Sequence, residues 1–391
     1  MDTKLLKQQL DTLAVFRALL DDPVIVALRG YLSAPSASRY AAFVSALYDA
    51  NGGALDRHIE TLCTESETVC TRLAAHDTMM PEHLYAALRQ ELQALQTIAD
   101  LTPEALRASL HEEIPLPGWT SGSRDIKAIY TAQLADLHRR GYGMYARHTM
   151  FLVDDAGLPV PVAHPDPIRP EDLVDYARER GLVLRNTQAL LQGKPAANLL
   201  LTGDAGTGKS STVKAVANAL APEGLRLVEL RRDQLRLLPA LLGTLAENPM
   251  TFIVFIDDLS FLTDDDSFNA LKAALEGSLT ARSRNVCIYA TSNRRHLIKE
   301  RFTDREGDDV HFSDTVQEMR SLSDRFGLTI TFSKPDKATY LHMVRALADE
   351  AGLEIPDAQL FAEAERAALH RGGRSARLAR QVVDALLCQT T

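Results

Sequence analysis

The chain has 391 residues, 46% hydrophobic and 24% charged, which suits two or three globular domains with ordinary cores. Its formal net charge of −9 argues against a dominant nucleic-acid-binding surface, and no run approaches the roughly 20 apolar residues of a membrane span. Cys63, Cys70, Cys287 and Cys388 form no CxxC pair and no zinc-like spacing with His, and the charged N-terminus MDTKLLKQQLDTLAVFRALLDD does not read as a signal peptide, so reduced thiols and a cytoplasmic location are expected.

Residues 1–150 read as an all-helical domain. Leu84, Leu88, Leu92, Leu95 and Ile98 recur at steps of three and four, with Pro81 near the first turn, which places them on one helical face. No polar cluster of catalytic spacing interrupts this bundle-like pattern, and 14 Lys and Arg stand against 18 Asp and Glu, so the domain is mildly acidic. Partner binding is the role it leaves open. Residues 151–172 carry Pro159, Pro161, Pro165, Pro167 and Pro170, which exclude a helix or a central strand and predict an extended linker. Helix resumes in EDLVDYARERGLVLRNTQALLQG, closed by Gly193.

Residues 173–335 then alternate between strand and helix. ANLLLTG, LRLVEL, TFIVFIDDL, NVCIYATS and LTITFS are continuous apolar runs, as strands covered on both faces read, and predict a five-stranded parallel sheet. A short helix is expected near Val316 to Leu322. Residues 336–391 read as three helices.

LLLTGDAGTGKSST fits G-x-x-x-x-G-K-[ST] between a strand and a helix, the context a phosphate-binding loop requires. The candidate loop is Gly203, Asp204, Ala205, Gly206, Thr207, Gly208, Lys209, Ser210 and Ser211. Its glycines let backbone N–H groups curl inward around phosphate oxygens, Lys209 reaches the β and γ phosphates, and Ser210 can ligate Mg²⁺. About fifty residues on, Ile253 to Ile256 lead directly into Asp257 and Asp258. Carboxyl ends of such strands face the ligand crevice. Asp257 is the candidate Mg²⁺ holder and Asp258 the candidate residue that polarises an attacking water. The next strand ends in Asn293, whose amide can donate to phosphate and accept from water, or else cap a turn.

These motifs, in this order, resemble an AAA+ ATPase. NLLLTGDAGTGKSSTVKA, FIDDLSF, ALKAALEGSL, IYATSNRRHL, SLSDRFGLTITF and GGRSARLARQ together are similar to one bacterial AAA+ family of predicted ATPases, over roughly residues 150–390. The resemblance implies a P-loop NTPase of α/β class with a C-terminal helical lid and an N-terminal all-helical domain. It implies ATP or ADP with Mg²⁺ held between subunits of a homo-oligomer. An arginine before the fifth strand would reach the neighbour's γ-phosphate; Arg325 stands in that place, with Arg320 and Arg295 as the other candidates. Arg377 matches the lid arginine that contacts nucleotide from its own subunit, and Arg374, three residues earlier, is expected on the same helical face. Val174 and Tyr176 stand where the adenine contact is made, beside Asp175 where relatives tend to have Gly. Many relatives also have Glu in the place of Asp258. Three functions follow: an ATPase that remodels a protein partner bound by the N-terminal domain, a DNA-associated loader, which the acidic charge disfavours, and a slow nucleotide switch, which only the short Asp258 favours.

Overall fold

The computed structural model describes residues 3–110, 115–259, 266–276, 284–293 and 325–390. The chain divides into two units, Met1–Arg147 and His148–Thr391.

The first unit is built from helices α1 (Thr3–Asp11), α2 (Pro23–Ser33), α3 (Ala37–Asn51), α4 (Leu55–Glu65), α5 (Val69–Ala75), α6 (Glu82–Ala99), α7 (Pro103–Arg107), α8 (Ile126–Leu134), α9 (Leu137–Arg140) and α10 (Met144–Arg147). Side-chain caps start many of them. Asp22 accepts from the N–H groups of Val24 and Ile25 ahead of α2, and Thr68 and Thr71 form a reciprocal capping box at α5. On α6 the spaced apolar residues behave as their period requires: Leu88, Leu92, Leu95 and Ile98 are buried, and Leu84 packs against the same core. Glu91 lies buried on that stripe. Its carboxylate accepts from the backbone N–H groups of Ala14, Val15 and Phe16 at 2.8–3.0 Å, which offsets the cost of burying it.

The second unit holds a seven-stranded sheet in the order β2-β1-β4-β5-β6-β3-β7. The strands are β1 (Met150–Val153), β2 (Pro159–Pro161), β3 (Leu199–Gly203), β4 (Leu225–Glu229), β5 (Thr251–Ile256), β6 (Val286–Ser292) and β7 (Leu328–Phe332). The five strands expected from apolar runs all form and are mutually parallel. The sheet is larger than expected because part of the proline-rich segment joins it. β1 pairs parallel to β4, and β2 returns antiparallel along β1 as the outer strand. Proline lacks a ladder donor, and an edge strand needs only one side of its ladder, so Pro159 and Pro161 are tolerated there. Residues 151–172 are therefore only partly a linker.

Helices α11 (Ala177–Leu191) and α12 (Lys209–Leu220) cover one face of the sheet. Val183, Leu190, Val213, Val216 and Leu220 pack against Leu199, Leu201, Leu227, Ile253, Phe255 and Tyr289. The alternate residues Leu200, Val228, Val254 and Ile288 are buried too, so both faces are covered. Helices α13 (Leu238–Ala246) and α14 (Asp266–Glu276) follow β4 and β5. The segment ahead of α11 departs from the expected helix. Asp175 and Tyr176 have φ of +62° and +54°, and the helix starts only at Ala177. Tyr176 is held there by tertiary contacts that override helix propensity: its ring lies 5.3 Å from that of Phe332 and its hydroxyl donates to the Ser333 carbonyl at 2.5 Å. The expected helix near Val316 lies outside the described residues.

Three helices complete the unit: α15 (Lys337–Glu350), α16 (Asp357–His370) and α17 (Ala376–Thr390). Their own core is Tyr340, Met343, Val344, Leu347, Leu360, Ala364 and Val383. Tyr176 packs against both this core and the core of the sheet. No helix among the described residues is long and apolar enough to cross a membrane.

The interior strand β6 is tied to α11 through Tyr289, fully buried, whose hydroxyl meets Asn186 Nδ2 at 3.0 Å and Thr187 Oγ1 at 2.8 Å. Burial pushes the pKa of that phenol well above its ordinary value, so it stays neutral and available to both partners. Tyr289→Phe is expected to cost about 1 kcal/mol in urea unfolding, the worth of the lost hydroxyl contacts; an unchanged midpoint would show that this link does not hold the sheet.

Candidate functional site

The register of the sheet builds the site. β6 lies between β3 and β5, with Thr202 opposite Ser292 and Ile256 opposite Ala290. Continuing each pairing by one residue sets Gly203 beside Asn293 and Asp257 beside Thr291. All four emerge at the carboxyl ends of parallel strands.

Between β3 and α12 the loop needs glycine. Gly203, Gly206 and Gly208 have φ of +139°, +79° and +91°, values that residues with a β-carbon rarely adopt. A β-carbon on Gly203 would also lie 2.1 Å from the Phe332 carbonyl oxygen. Lys209 begins α12 and is buried. Its ammonium donates to the carbonyls of Gly203 and Asp204, both at 2.8 Å, and to Asn293 Oδ1 at 3.0 Å. Burial lowers its proton affinity, while Asp204, Asp257 and Asp258 act to raise it.

Ser210, the next residue, donates its hydroxyl to Asp257 Oδ1 at 2.6 Å. The same oxygen receives the Thr291 hydroxyl at 2.5 Å and the Asp258 N–H at 3.1 Å. Asp258 Oδ1 accepts from Asn293 Nδ2 at 2.6 Å. Asn293 thus joins Lys209, through its carbonyl, to Asp258, through its amino group. Ser210 and Asp257 supply oxygen donors of the kind Mg²⁺ takes. Among the described residues no group of three or more His, Cys, Asp or Glu could hold a metal ion, so an ion here would complete its shell with water and phosphate oxygens.

A cavity of about 540 Å³ opens before these groups, and Ala205 to Ser211, Asp257, Asp258 and Asn293 line it. Gly203 and Asp204 are not on its wall; they meet Lys209 through their carbonyls. Val174 and Tyr176 also line it, with Met343 and Leu347 of α15 and Arg377, Arg380 and Gln381 of α17. The lid approaches the loop closely: Arg377 N–H donates to the Gly206 carbonyl at 3.1 Å, and a β-carbon on Gly206 would stand 3.1 Å from Ser375 Oγ. Asp175 Oδ2 lies 3.1 Å from His342 Nδ1 on α15. The left-handed φ at Asp175 is the conformation glycine adopts most readily.

Arg374 does not share a helical face with Arg377. α17 starts at Ala376, and Arg374 lies before it, donating to both oxygens of Glu365 at 3.0 and 2.9 Å. That contact holds the Glu365 carboxyl below its ordinary range. Arg325 is not on the cavity wall. It precedes β7 at the end where Leu199 pairs with Leu328, and β7 runs about 13 Å before Phe332 reaches Gly203. Arg295 and Arg320 lie outside the described residues. Two groups were not singled out from the sequence. Thr291 carries a signal only once its register with Asp257 is known. Arg180, which lines the cavity and whose guanidinium donates to the Pro170 and Leu173 carbonyls, carries none beyond its position in α11.

A glycine-rich loop between the first core strand and a helix, the strand order β4-β5-β6-β3-β7, acidic and Asn-bearing strand ends and a helical lid define an AAA+ P-loop fold. The chain belongs to the family described as "Protein of unknown function (DUF815)", whose profile matches residues 146–390. No curated protein matches the sequence. A solved structure of the Thermotoga maritima RuvB Holliday junction branch migration motor is similar at 17% identity, covering 56% of this chain and 65% of that one, with a TM-score of 0.39. A single-substitution mutant of the same protein is similar at 15% identity, over 56% and 64% of the two chains, with a TM-score of 0.38. The match thus spans just under two thirds of that protein.

Gly203→Ala tests how far the loop depends on its backbone. The strained φ and the clash with Phe332 are expected to cost about 2 kcal/mol or more in unfolding free energy; an alanine variant as stable as the parent would mean that the loop and β7 are not packed as described.

Proposed function

We propose that this chain is a Mg²⁺-dependent ATPase that works as a homo-oligomer, with ATP held between subunits and its hydrolysis coupled to remodelling a protein partner bound by the N-terminal helical unit. The observation that carries the reading is the hydrogen-bonded chain from Lys209 through Asn293 to Asp258, at the mouth of a glycine-rich loop.

The roles follow from the chemistry of each group. The N–H groups from Ala205 to Ser211 face phosphate oxygens, assisted by the positive end of α12. Lys209 exchanges its loop carbonyls for the β and γ phosphates. Ser210 and Asp257 would hold Mg²⁺, which would neutralise phosphate charge and draw electron density from the γ-phosphoryl group. Lys209 has Asp204, Asp257 and Asp258 as electrostatic neighbours, so a triphosphate added there without a divalent ion would meet excess negative charge. Asp258 polarises the attacking water, and Asn293 keeps its carboxylate and the γ-phosphate in one frame. Val174 and Tyr176 supply apolar surface to the base, and Arg377 reaches the phosphates from the lid.

Arg325, at the far end of β7 from its own cavity, is suited to a neighbouring subunit's γ-phosphate rather than its own. A slow nucleotide switch is a second reading, favoured by the short Asp258 whose carboxylate is already engaged by Asn293.

Lys209→Ala is expected to abolish ATP binding in calorimetry, and retained affinity would remove the loop from the site. Asp258→Asn should keep ATP affinity while turnover falls by roughly 100-fold or more; unchanged turnover would move the base elsewhere. Mixing Arg325→Ala with Lys209→Ala subunits should restore part of the hydrolysis that each lacks alone. Absence of rescue at every ratio would count against an arginine acting across the interface.

A further inference from the structure

Asp258 has a φ of +52°, in the left-handed region. Aspartate visits this region more readily than most residues with a β-carbon, but still at a cost that its surroundings can offset. One residue on the neighbouring strand, Thr291, restrains it through both its side chain and its backbone, beside the contact of the Asp258 N–H with Asp257 Oδ1 at 3.1 Å. The Thr291 hydroxyl accepts the Asp258 N–H at 2.9 Å and donates to Asp257 Oδ1 at 2.5 Å. The Thr291 carbonyl accepts the following N–H, that of Leu259, at 2.7 Å, and Leu259 is itself fully buried. Thr291 is 2% exposed, so its hydroxyl is shielded on its own side, while Asp257 and Asp258 face the cavity. In this backbone conformation Asp258 Oδ1 meets Asn293 Nδ2, and Asn293 Oδ1 meets Lys209.

We propose that Thr291 is a positioning residue for hydrolysis: its hydroxyl locks Asp258 in the left-handed conformation that presents a short carboxylate at the γ-phosphate end of the cavity. The inference rests on the ATPase reading above. It accounts for how aspartate reaches where a glutamate would need no such turn. The missing methylene is made up by the backbone, and the backbone is held by a hydroxyl that donates to one acidic residue while accepting from the next. A hydroxyl that only satisfied buried polar groups would affect stability and leave turnover alone.

The test separates these roles. Thr291→Val keeps the shape and removes both bonds; Thr291→Ser keeps both bonds and removes a methyl. The valine variant is expected to lose roughly 10- to 100-fold in kcat while its ATP dissociation constant stays within about twofold. The serine variant is expected to recover kcat to within about threefold of the parent, whatever its melting temperature. Should the valine variant not fold, Thr291→Ala carries the same expectation. A crystal structure of the valine or alanine variant is the second measurement, with Asp258 expected to leave positive φ and to separate from Asn293. Parental kcat in that variant, or an Asp258 still at positive φ and bonded to Asn293, would overturn the proposal. If the parent protein itself fails to hydrolyse ATP while Lys209→Ala binds it equally well, the ATPase reading fails, and the crystallographic comparison still decides whether Thr291 sets the Asp258 conformation.

Discussion

The site depends on the placement of β6 between β3 and β5 in parallel register. Each strand ends in a different chemistry: a backbone that must bend, a pair of carboxylates, an amide beside a hydroxyl. Only the ladder brings them within hydrogen-bond reach. A slip of one residue in β6 would turn its buried residues to the other face, and would carry Thr291 away from Asp257 and Asn293 away from Lys209. The register is well secured. Tyr289 pins β6 to α11, and Asn285, just before the strand, donates its amide to the carbonyls of Leu245, Asn248 and Met250 at 2.7–3.0 Å.

Burying Lys209 among carboxylates is the electrostatic counterpart of that geometry. The ammonium is largely withdrawn from water, which disfavours its charge, yet two carbonyls and an amide oxygen stand in for part of its hydration. Asn293 is suited to this place because a neutral amide offers an acceptor to the lysine and a donor to Asp258 at once. An acidic residue there would repel Asp258, and a basic one would repel Lys209.

Much of this arrangement was legible in the amino-acid order. Apolar runs located the five core strands because strands buried on both faces cannot disguise their composition. The spacing of Gly203, Gly208 and Lys209 located the loop because few other uses demand glycine and lysine at those intervals. The α6 stripe was legible for the same reason, since its period matches the face that is buried. What was hidden depended on distant partners. The β1–β2 hairpin was masked by prolines, which are harmless on an outer strand but indistinguishable in sequence from those of a linker. The late start of α11 follows from a ring contact between Tyr176 and Phe332, 156 residues apart in the chain. Arg374 belongs to Glu365 because α17 begins two residues after it, and helix boundaries are the least legible feature of a sequence. The importance of Thr291 emerges only from its neighbour across the ladder.

Tyr176 belongs to two cores at once, and this has a mechanical consequence. Its ring is wedged between the sheet and the lid, and its hydroxyl is fastened to the residue after Phe332. The carbonyl of that same Phe332 sits against Gly203, at the root of the phosphate loop. One tyrosine therefore ties the lid to the strand end that supports the loop. The outer helices and the phosphate cradle thus share this tyrosine's footing as well as the direct bond from the Arg377 N–H to the Gly206 carbonyl.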